Sequence, residues 1–388
     1  MFERVNTIEA FRALRGEWQE LYRAAGVSNP FLSYDWIEPW LAYLSRRFAV
    51  LYWRDQPGGP IVAAGVFTTE QAGRWCFISE HNYHPGLLVR VDAASPPHMY
   101  LRRFLIHIFT REPLVWHMIL HRSVDDAAVR AMVARGLGPL RFLCTESPRV
   151  VPEYIVDTAA SFDEYLTDRP GKVRKELRRK LRRVERELPE VRFTELPADA
   201  GGQAALDIIA RVEEDSWKSG THTAIISHRR ERDFYSAVFE IAGERSRGRL
   251  FSLSDAGGAL AYVIGVQHDR TFYALKTSYR ADHARYAPGQ VLFAYLIRHL
   301  CESDVDNLEL LGTDARWKRE LATRSRAVRT FKFMRPDPIG LGYVLAEGHL
   351  RPAIRSAAER DPRVARLWDL AKRAKRGLGA LTARTSDP

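Results

Sequence analysis

The sequence predicts a mixed α/β protein of two domains followed by a helical, basic C-terminal extension. Three observations carry this. A chain of 388 residues is long for a single domain. Apolar residues recur with a period of two in some segments and with helical spacing in others. The pattern also restarts after Ser147-Pro148-Arg149, placing the boundaries at 1–148, 149–338 and 339–388. A hydrophobic share of 46% with 28% charged residues excludes extended disorder.

In the first domain a helix is expected over 8–25, with Phe11, Leu14, Trp18 and Leu21 on one face. Strands 49–53 and 61–67 flank the turn Gln56-Pro57-Gly58-Gly59-Pro60. Apolar runs at 75–78 and 86–89 precede a helix over 97–109, a strand over 115–120, a helix over 125–135 and a strand over 140–144. The second domain opens with a short strand, 154–157. Ser161 and Glu164 then form a capping-box start for a helix that Arg169-Pro170-Gly171 ends. A basic helix over 172–188, a strand over 191–196 and helices over 199–218 and 229–244 come next. Strands follow at 250–253, 260–268 and 271–279, the last two joined at Asp269-Arg270. Proline suits a first helical position, so Pro288 starts a helix that runs to 302. Strands at 308–311 and 328–334 close the domain.

Several function classes are excluded. Cys76, Cys144 and Cys301 are scattered and odd in number, with no metal-ligand spacing, so neither a disulfide framework nor structural zinc is expected. No basic, then apolar, leader begins the chain and no apolar run approaches the ~20 residues of a bilayer span, so a cytoplasmic protein is expected. The net charge of +11 has two sources. Residues 172–188 hold nine Lys/Arg against three Glu, and residues 347–388 hold ten Lys/Arg against five Asp/Glu. In 172–188, Val173, Leu177, Leu181, Val184 and Leu188 draw one narrow apolar stripe, which docks the helix and leaves a basic face. The tail has the pattern of a basic amphipathic helix with one tryptophan, Trp368. Both segments are candidates for an anionic membrane surface, and the chemistry is expected in the charge-balanced remainder.

That remainder is most informative over 250–302: a hairpin, a loop, then a helix opening Pro288-Gly289-Gln290. A helix N-terminus leaves amide donors free and favours anions. Other stretches with a matching order are 213–218 (Glu-Glu-Asp-Ser-Trp-Lys), Thr223-Ala224-Ile225, Phe234-Tyr235, 272–279 (Phe-Tyr-Ala-Leu-Lys-Thr-Ser-Tyr), 284–289 (Ala-Arg-Tyr-Ala-Pro-Gly) and 311–318 (Leu-Gly-Thr-Asp-Ala-Arg-Trp-Lys). In the first domain Trp18, Leu21, Asn29-Pro30-Phe31, Trp36 and Trp40 fit the same order. In these residues the chain resembles the GNAT acyltransferases, and more narrowly the cellulose-biosynthesis (CelD-type) branch, which is related to Fem-type transferases.

The resemblance implies two tandem GNAT-like domains with mainly antiparallel sheets, and a cytoplasmic N- or O-acyltransferase acting in envelope or exopolysaccharide synthesis. It implies acyl-CoA as donor, no metal, and a small-molecule or glycan-linked acceptor. The donor phosphates would meet Arg285, Tyr286, Ala287, Gly289 and Gln290. Its pantetheine arm would lie at a splayed strand pair, expected at 260–268 and 271–279. The phosphate loop keeps one glycine of the family's two or three, and Arg280 replaces the acid that follows the family's tyrosine, here Tyr279. Acyl-CoA, another thioester and aminoacyl-tRNA therefore all stay open as donors, as does a non-catalytic membrane-bound module. Acyl transfer needs a proton acceptor, for which Glu213, Asp215 and His222 are candidates. A glutamate near a helix end is ordinarily solvated, and a histidine in a Gly-Thr-His stretch ordinarily lies at the surface. Lys276 shares a face with Phe272 and Ala274 by strand alternation, and either snorkels or meets an anion. Trp217, Tyr279 and Lys318 complete the expected substrate contacts.

Overall fold

The computed structural model describes residues 1–71, 73–78, 83–112, 114–115, 117–123, 127–134, 143–147, 150–159, 161–216, 224–346, 351–364, 366–367 and 369. The N-terminal half runs β1 (Phe2–Val5), α1 (Ile8–Ala13), α2 (Arg15–Ala24), α3 (Tyr34–Pro39), β2 (Phe48–Arg54), β3 (Ile61–Gln71), β4 (Arg74–Phe77), β5 (Leu87–Val89), α4 (Pro97–Arg111), β6 (His117–Ser123), α5 (Ala127–Ala134) and β7 (Leu143–Glu146). The C-terminal half runs β8 (Val151–Asp157), α6 (Phe162–Thr167), α7 (Gly171–Glu187), β9 (Arg192–Glu195), α8 (Gly201–Glu213), α9 (Arg229–Phe239), β10 (Ser246–Asp255), β11 (Gly258–His268), β12 (Thr271–Tyr279), α10 (Pro288–Cys301), β13 (Asn307–Leu310), α11 (Arg316–Leu321) and β14 (Arg324–Met334). Helices α12 (Pro338–Leu345) and α13 (Arg351–Arg360) follow.

Local signals act as the sequence implies. Ser161 caps α6 by accepting the Glu164 amide at 3.1 Å, and Pro288 stands at the first turn of α10. The helix expected over 8–25 is two helices, because Leu14 leaves helical geometry at ψ 3°. That bend brings the rings of Phe11 and Trp18 edge-to-face at 5.2 Å.

The strands form one continuous mixed sheet in the order β1-β2-β3-β4-β6-β14-β8-β13-β12-β11-β10-β9, with β5 on β3 and β7 on β14. Two pairs are parallel, β4–β6 and β12–β13, and each is crossed by a helix, α4 and α10 respectively. The halves join through β14. Its first part, Arg324–Val328, pairs with β8, and its second part, Arg329–Met334, pairs with β6 and β7. The last strand among the described residues thus completes the sheet of the first half.

Three cores result. One packs α4 on the N-terminal half, around Tyr100, Phe104 and Phe67. A second packs α7 and α10 on one face of the C-terminal half, and here Leu177, Leu181 and Val184 of the basic helix bury the expected stripe. The third belongs to both halves: Trp18, Phe31, Trp36 and Trp40 pack with Phe234, Tyr235, Tyr262 and Tyr273. Each such ring withdrawn from water contributes roughly 1.5–3 kcal/mol, so this shared core binds the halves into one body.

Candidate active site

The sheet opens in the C-terminal half. Strands β12 and β13 pair in parallel for three residues, ending at Tyr273 opposite Glu309. Beyond that rung β13 continues beside β8 and β12 stays with β11 as far as Tyr279, so the two diverge. The divergence therefore lies between β12 and β13. The pair expected to splay, 260–268 and 271–279, is an antiparallel ladder along its whole length, interrupted by one bulge. At the same level β12 carries a bulge: Ile264 pairs with Lys276 and Gly265 with Ala274, leaving Leu275 as the extra residue. Gly265 is required there, since a Cβ would lie 2.2 Å from the Tyr273 carbonyl oxygen. A glycine inside an otherwise apolar strand was the sequence signal for this irregularity.

Below the divergence is a cavity of about 350 Å³ lined by Thr277, Ser278, Tyr279, Gly289, Gln290, Phe293 and Trp317, among others. Ser278 is buried, and its hydroxyl has no hydrogen-bond partner among the described residues. Trp317 and Phe293 form one wall, with ring centroids 4.8 Å apart. The other end is the start of α10. Ala287 caps it in left-handed geometry (φ 52°) without a side-chain bond, and Pro288 has no N–H. The Gln290 and Val291 amides turn back to the Ala287 carbonyl at 2.9 and 3.1 Å. The Gly289 amide is thus the donor presented where an anion would sit.

The basic helix α7 runs to this helix end, so its charge is part of the site and not separate from it. Lys180 Nζ donates to Gln290 Oε1 at 2.6 Å and pairs with Glu176 at 2.8 Å. Arg183 donates to the Arg285 carbonyl at 3.1 Å and lies over the Tyr286 ring. A cleft lined by Lys172, Lys180, Arg316 and Gln290 adjoins the cavity. Of the loop residues expected to meet phosphate, Ala287, Gly289 and Gln290 line the cavity. Tyr286 is buried in the core, and the Arg285 guanidinium donates to its hydroxyl at 2.7 Å. Arg280 pairs with Asp282 (2.8 Å) and Asp215 (3.3 Å), tying the loop to the segment after α8.

The other face of β11 and β12 carries a polar cluster. The bulge turns Lys276 away from Phe272 and Ala274, onto the face of Tyr235, correcting the alternation read from sequence. Its ammonium meets an anion from the protein itself, Glu231 at 3.3 Å. Glu213 is fully buried, contrary to the solvated position expected, and accepts from Tyr262 Oη at 2.6 Å and the Ile226 amide at 3.3 Å. Burial drives the Tyr262 phenol well above its ordinary range. Tyr83 of the N-terminal half donates to the Leu275 carbonyl at 3.2 Å, at the bulge. Lys318 donates to the carbonyls of Leu311 and Thr313 and so straps the turn at Gly312, which has φ +90°. Trp217 and His222 lie outside the described residues.

Sequence reasoning missed the cluster at the apex of the divergence. Glu309, on the last paired rung, lies beside His84 and Glu153, and all three are buried. Their ligand atoms lie within 4.8 Å of one another, as in a metal site. Arg326, however, reaches all three, at 3.0 Å from His84 Nε2, 3.1 Å from Glu153 and in close contact with Glu309. The guanidinium thus neutralises the carboxylates from among them. Burial nonetheless pushes the Glu309 carboxyl up. No sequence pattern links these four positions.

A larger groove of about 1130 Å³ lies between α2, α3 and the start of β10. Two of its arginines are paired within the protein, Arg12 with Glu38 and Arg245 with Asp269. On its floor Tyr22 donates to the Asn29 carbonyl at 2.9 Å, so it accepts from His268 Nε2 at 3.0 Å, and Ser246 donates to Nδ1 at 2.7 Å. Burial holds His268 down at about 4, so it is neutral at pH 7.

Residues 171–319, the segment from α7 to α11, match the acetyltransferase (GNAT) domain family. The fold is the GNAT fold, and the matched segment is similar to acetyltransferase domains of that family. Solved structures agree over both halves. FemX superposes with a TM-score of 0.54 at 11% identity, over 89% of this chain and 100% of that one. A conserved protein of unknown function from Bacteroides thetaiotaomicron gives 0.52 at 16% identity, over 86% and 99%. The C-terminal domain of a protein assigned as a lysylphosphatidylglycerol synthetase, from Agrobacterium fabrum, gives 0.51 at 13%, over 85% and 97%. No curated protein sequence matches the chain.

Proposed function

We propose that the protein transfers an acyl group from acyl-CoA to an amine or hydroxyl of a sugar-linked or otherwise anionic acceptor. The observation that carries this reading is the strand divergence that leads to a cavity of about 350 Å³ and ends on the Gly289 amide beside Lys180. The thioester arm would thread the gap between β12 and β13, with unpaired backbone groups of β12 as partners. The donor phosphates would rest on the start of α10, with the cations of α7 and Arg316 around them. The acceptor nitrogen or oxygen forms a bond to the thioester carbonyl carbon, the C–S bond breaks, and the departing thiolate takes up the proton the acceptor loses. Glu213 and Tyr262, hydrogen-bonded to each other on the face of β11 and β12 opposite the cavity, would relay that proton. The exopolysaccharide or envelope setting draws on the likeness of the sequence motifs to the cellulose-biosynthesis branch.

A Fem-like ligase using aminoacyl-tRNA is the second reading, favoured by the breadth of the basic face of α7 next to the cavity. Calorimetric titration separates the two. Saturable one-to-one binding of acetyl-CoA or a longer acyl-CoA is expected. Binding of charged tRNA with no acyl-CoA binding transfers the assignment to the ligase, and binding of neither ends the enzyme reading.

A further inference from the structure

Helix α7 carries more positive charge than a small donor in the neighbouring cavity could meet. At about 100° per residue, Lys172, Lys175, Arg178, Arg179, Arg182 and Arg186 fall within an arc of about 120°. The buried Leu177, Leu181 and Val184 lie opposite, and Glu176, Glu185 and Glu187 lie outside the arc. Arg178, Arg179 and Arg186 keep 49%, 64% and 76% of their side-chain surface exposed, the first two with carboxylates only at 3.8 and 4.0 Å. Lys172, Lys175 and Arg182 are exposed too, and none has a carboxylate within ion-pair distance among the described residues. A different edge of the helix reaches the start of α10, where Lys180 meets Gln290 and Arg183 meets the Arg285 carbonyl. Of the six outer cations only Lys172 lines the cleft beside the cavity. The other five face solvent next to its mouth, where only a large anionic body could cover them.

The cavity narrows what that body is. No charged side chain lines it: its walls are Thr277, Ser278, Tyr279, Gln290, Phe293 and Trp317, with small residues between. A pantetheine arm is uncharged along its length and ends in one phosphate, which matches neutral walls that finish on the Gly289 amide and Lys180. An RNA end brings a phosphate with every nucleotide and would need cations inside the cavity. A bilayer fits less well, since no large apolar side chain is exposed between residues 151 and 338 among the described residues and no helix there is long and apolar enough to cross a membrane. The other basic segment, 347–388, lies largely outside the described residues, Trp368 included. We infer that α7 docks an acidic carrier protein whose phosphopantetheine arm delivers the acyl thioester into the cavity, which rests on the acyl-thioester reading above. The complementary charges would steer the carrier and hold it with its arm at the start of α10.

Calorimetric titration of the full chain with a bacterial acyl carrier protein, bearing an acetyl group on its phosphopantetheine arm, tests this beside acetyl-CoA. The loaded carrier should bind at least tenfold more tightly than acetyl-CoA. The variant Lys175→Glu/Arg182→Glu should lose at least tenfold of the carrier affinity, with acetyl-CoA affinity and melting temperature unchanged because both positions are exposed and away from the cavity. Lys175→Arg/Arg182→Lys should bind the carrier as wild type does. Acetyl-CoA binding without carrier binding overturns the inference and leaves the acyl-thioester reading standing, whereas binding of neither removes both. A double variant that holds the carrier as tightly as wild type overturns the docking face. Binding of charged tRNA or of phosphatidylglycerol vesicles that the double variant loses, with no carrier binding, overturns it in favour of that polyanion.

Discussion

In the N-terminal half the parallel strands β4 and β6 are crossed by a helix that begins Pro97-His98-Met99, and in the C-terminal half β12 and β13 are crossed by one that begins Pro288-Gly289-Gln290. Both lack a side-chain cap, and in both the third amide turns back to the cap carbonyl at 2.9 Å. The second residue differs. His98 is a buried side chain, whereas Gly289 lines a cavity where a Cβ would only touch Tyr279 at 3.4 Å. The same device therefore ends in protein in one half and in open space in the other. A helix start of this kind becomes a packing element when a side chain stands where the other keeps an amide bare. Charge separates the two helix starts as well: only α10 has a cationic helix laid against its start.

The two halves can be contrasted in this way only while they act as one body, and the strongest perturbation strikes their junction. Arg326→Ala should destabilise by about 3–5 kcal/mol, because Glu153 and Glu309 would be left buried without their guanidinium. Chemical denaturation should still give one transition; two separate transitions would show that the halves unfold independently. The second link between halves, Tyr22 to His268, is sensitive to pH. The folded pKa of His268, about 4, lies below the unfolded value near 6.5, so the unfolded chain binds the extra proton between these limits. Its contribution is complete above pH 6.5 and is lost as pH falls towards 4, roughly 3 kcal/mol in all. His268→Gln should flatten that part of the stability-against-pH curve, and an unchanged slope would assign it to other groups.

Changes at the two helix starts test the contrast itself. Gly289→Glu should weaken acyl-CoA binding at least 100-fold, about 2.7 kcal/mol, by placing a carboxylate where phosphates would sit, while leaving the melting temperature nearly unchanged. Its counterpart, His98→Ala, should do the reverse: a loss of about 2 kcal/mol in stability with acyl-CoA affinity unaltered. If Gly289→Glu binds normally, the phosphates have been put in the wrong place. The smallest effect is expected from Lys180→Ala, about tenfold in donor affinity or 1.4 kcal/mol, measured by the same titration. Equal affinities for variant and wild type would make the Lys180–Gln290 contact purely structural.

Much of the architecture was legible in the chain. Strand β12 begins and ends at the residues read from alternation, 271–279, and α10 starts at Pro288 as its first-turn proline requires. The apolar stripe of α7 is the one that is buried. These are properties of neighbouring residues, and the periods of a strand and a helix are short enough to be written locally. The helix start at Ala287, Gly289 and Gln290, which lines the cavity, was legible for the same reason. Trp317 and Lys180 were not, because Trp317 reaches the cavity and Lys180 the adjoining cleft only by contact with α10.

By itself, then, the sequence determined most of the elements, their order and the basic face of α7. Tertiary structure alone decided which strand pair diverges, and that β14 should serve both halves of the sheet. The one-residue bulge at Leu275, a matter of register against β11, reversed the face of Lys276 and gave it Glu231 as partner. Three-dimensional packing also buried Glu213 and gathered His84, Glu153, Glu309 and Arg326 from positions as far as 242 residues apart. The physical reason is the same in each case. Strand register and the partner of a buried charge are set by contacts between distant segments, and the energy of those contacts does not exist until the chain has closed on itself.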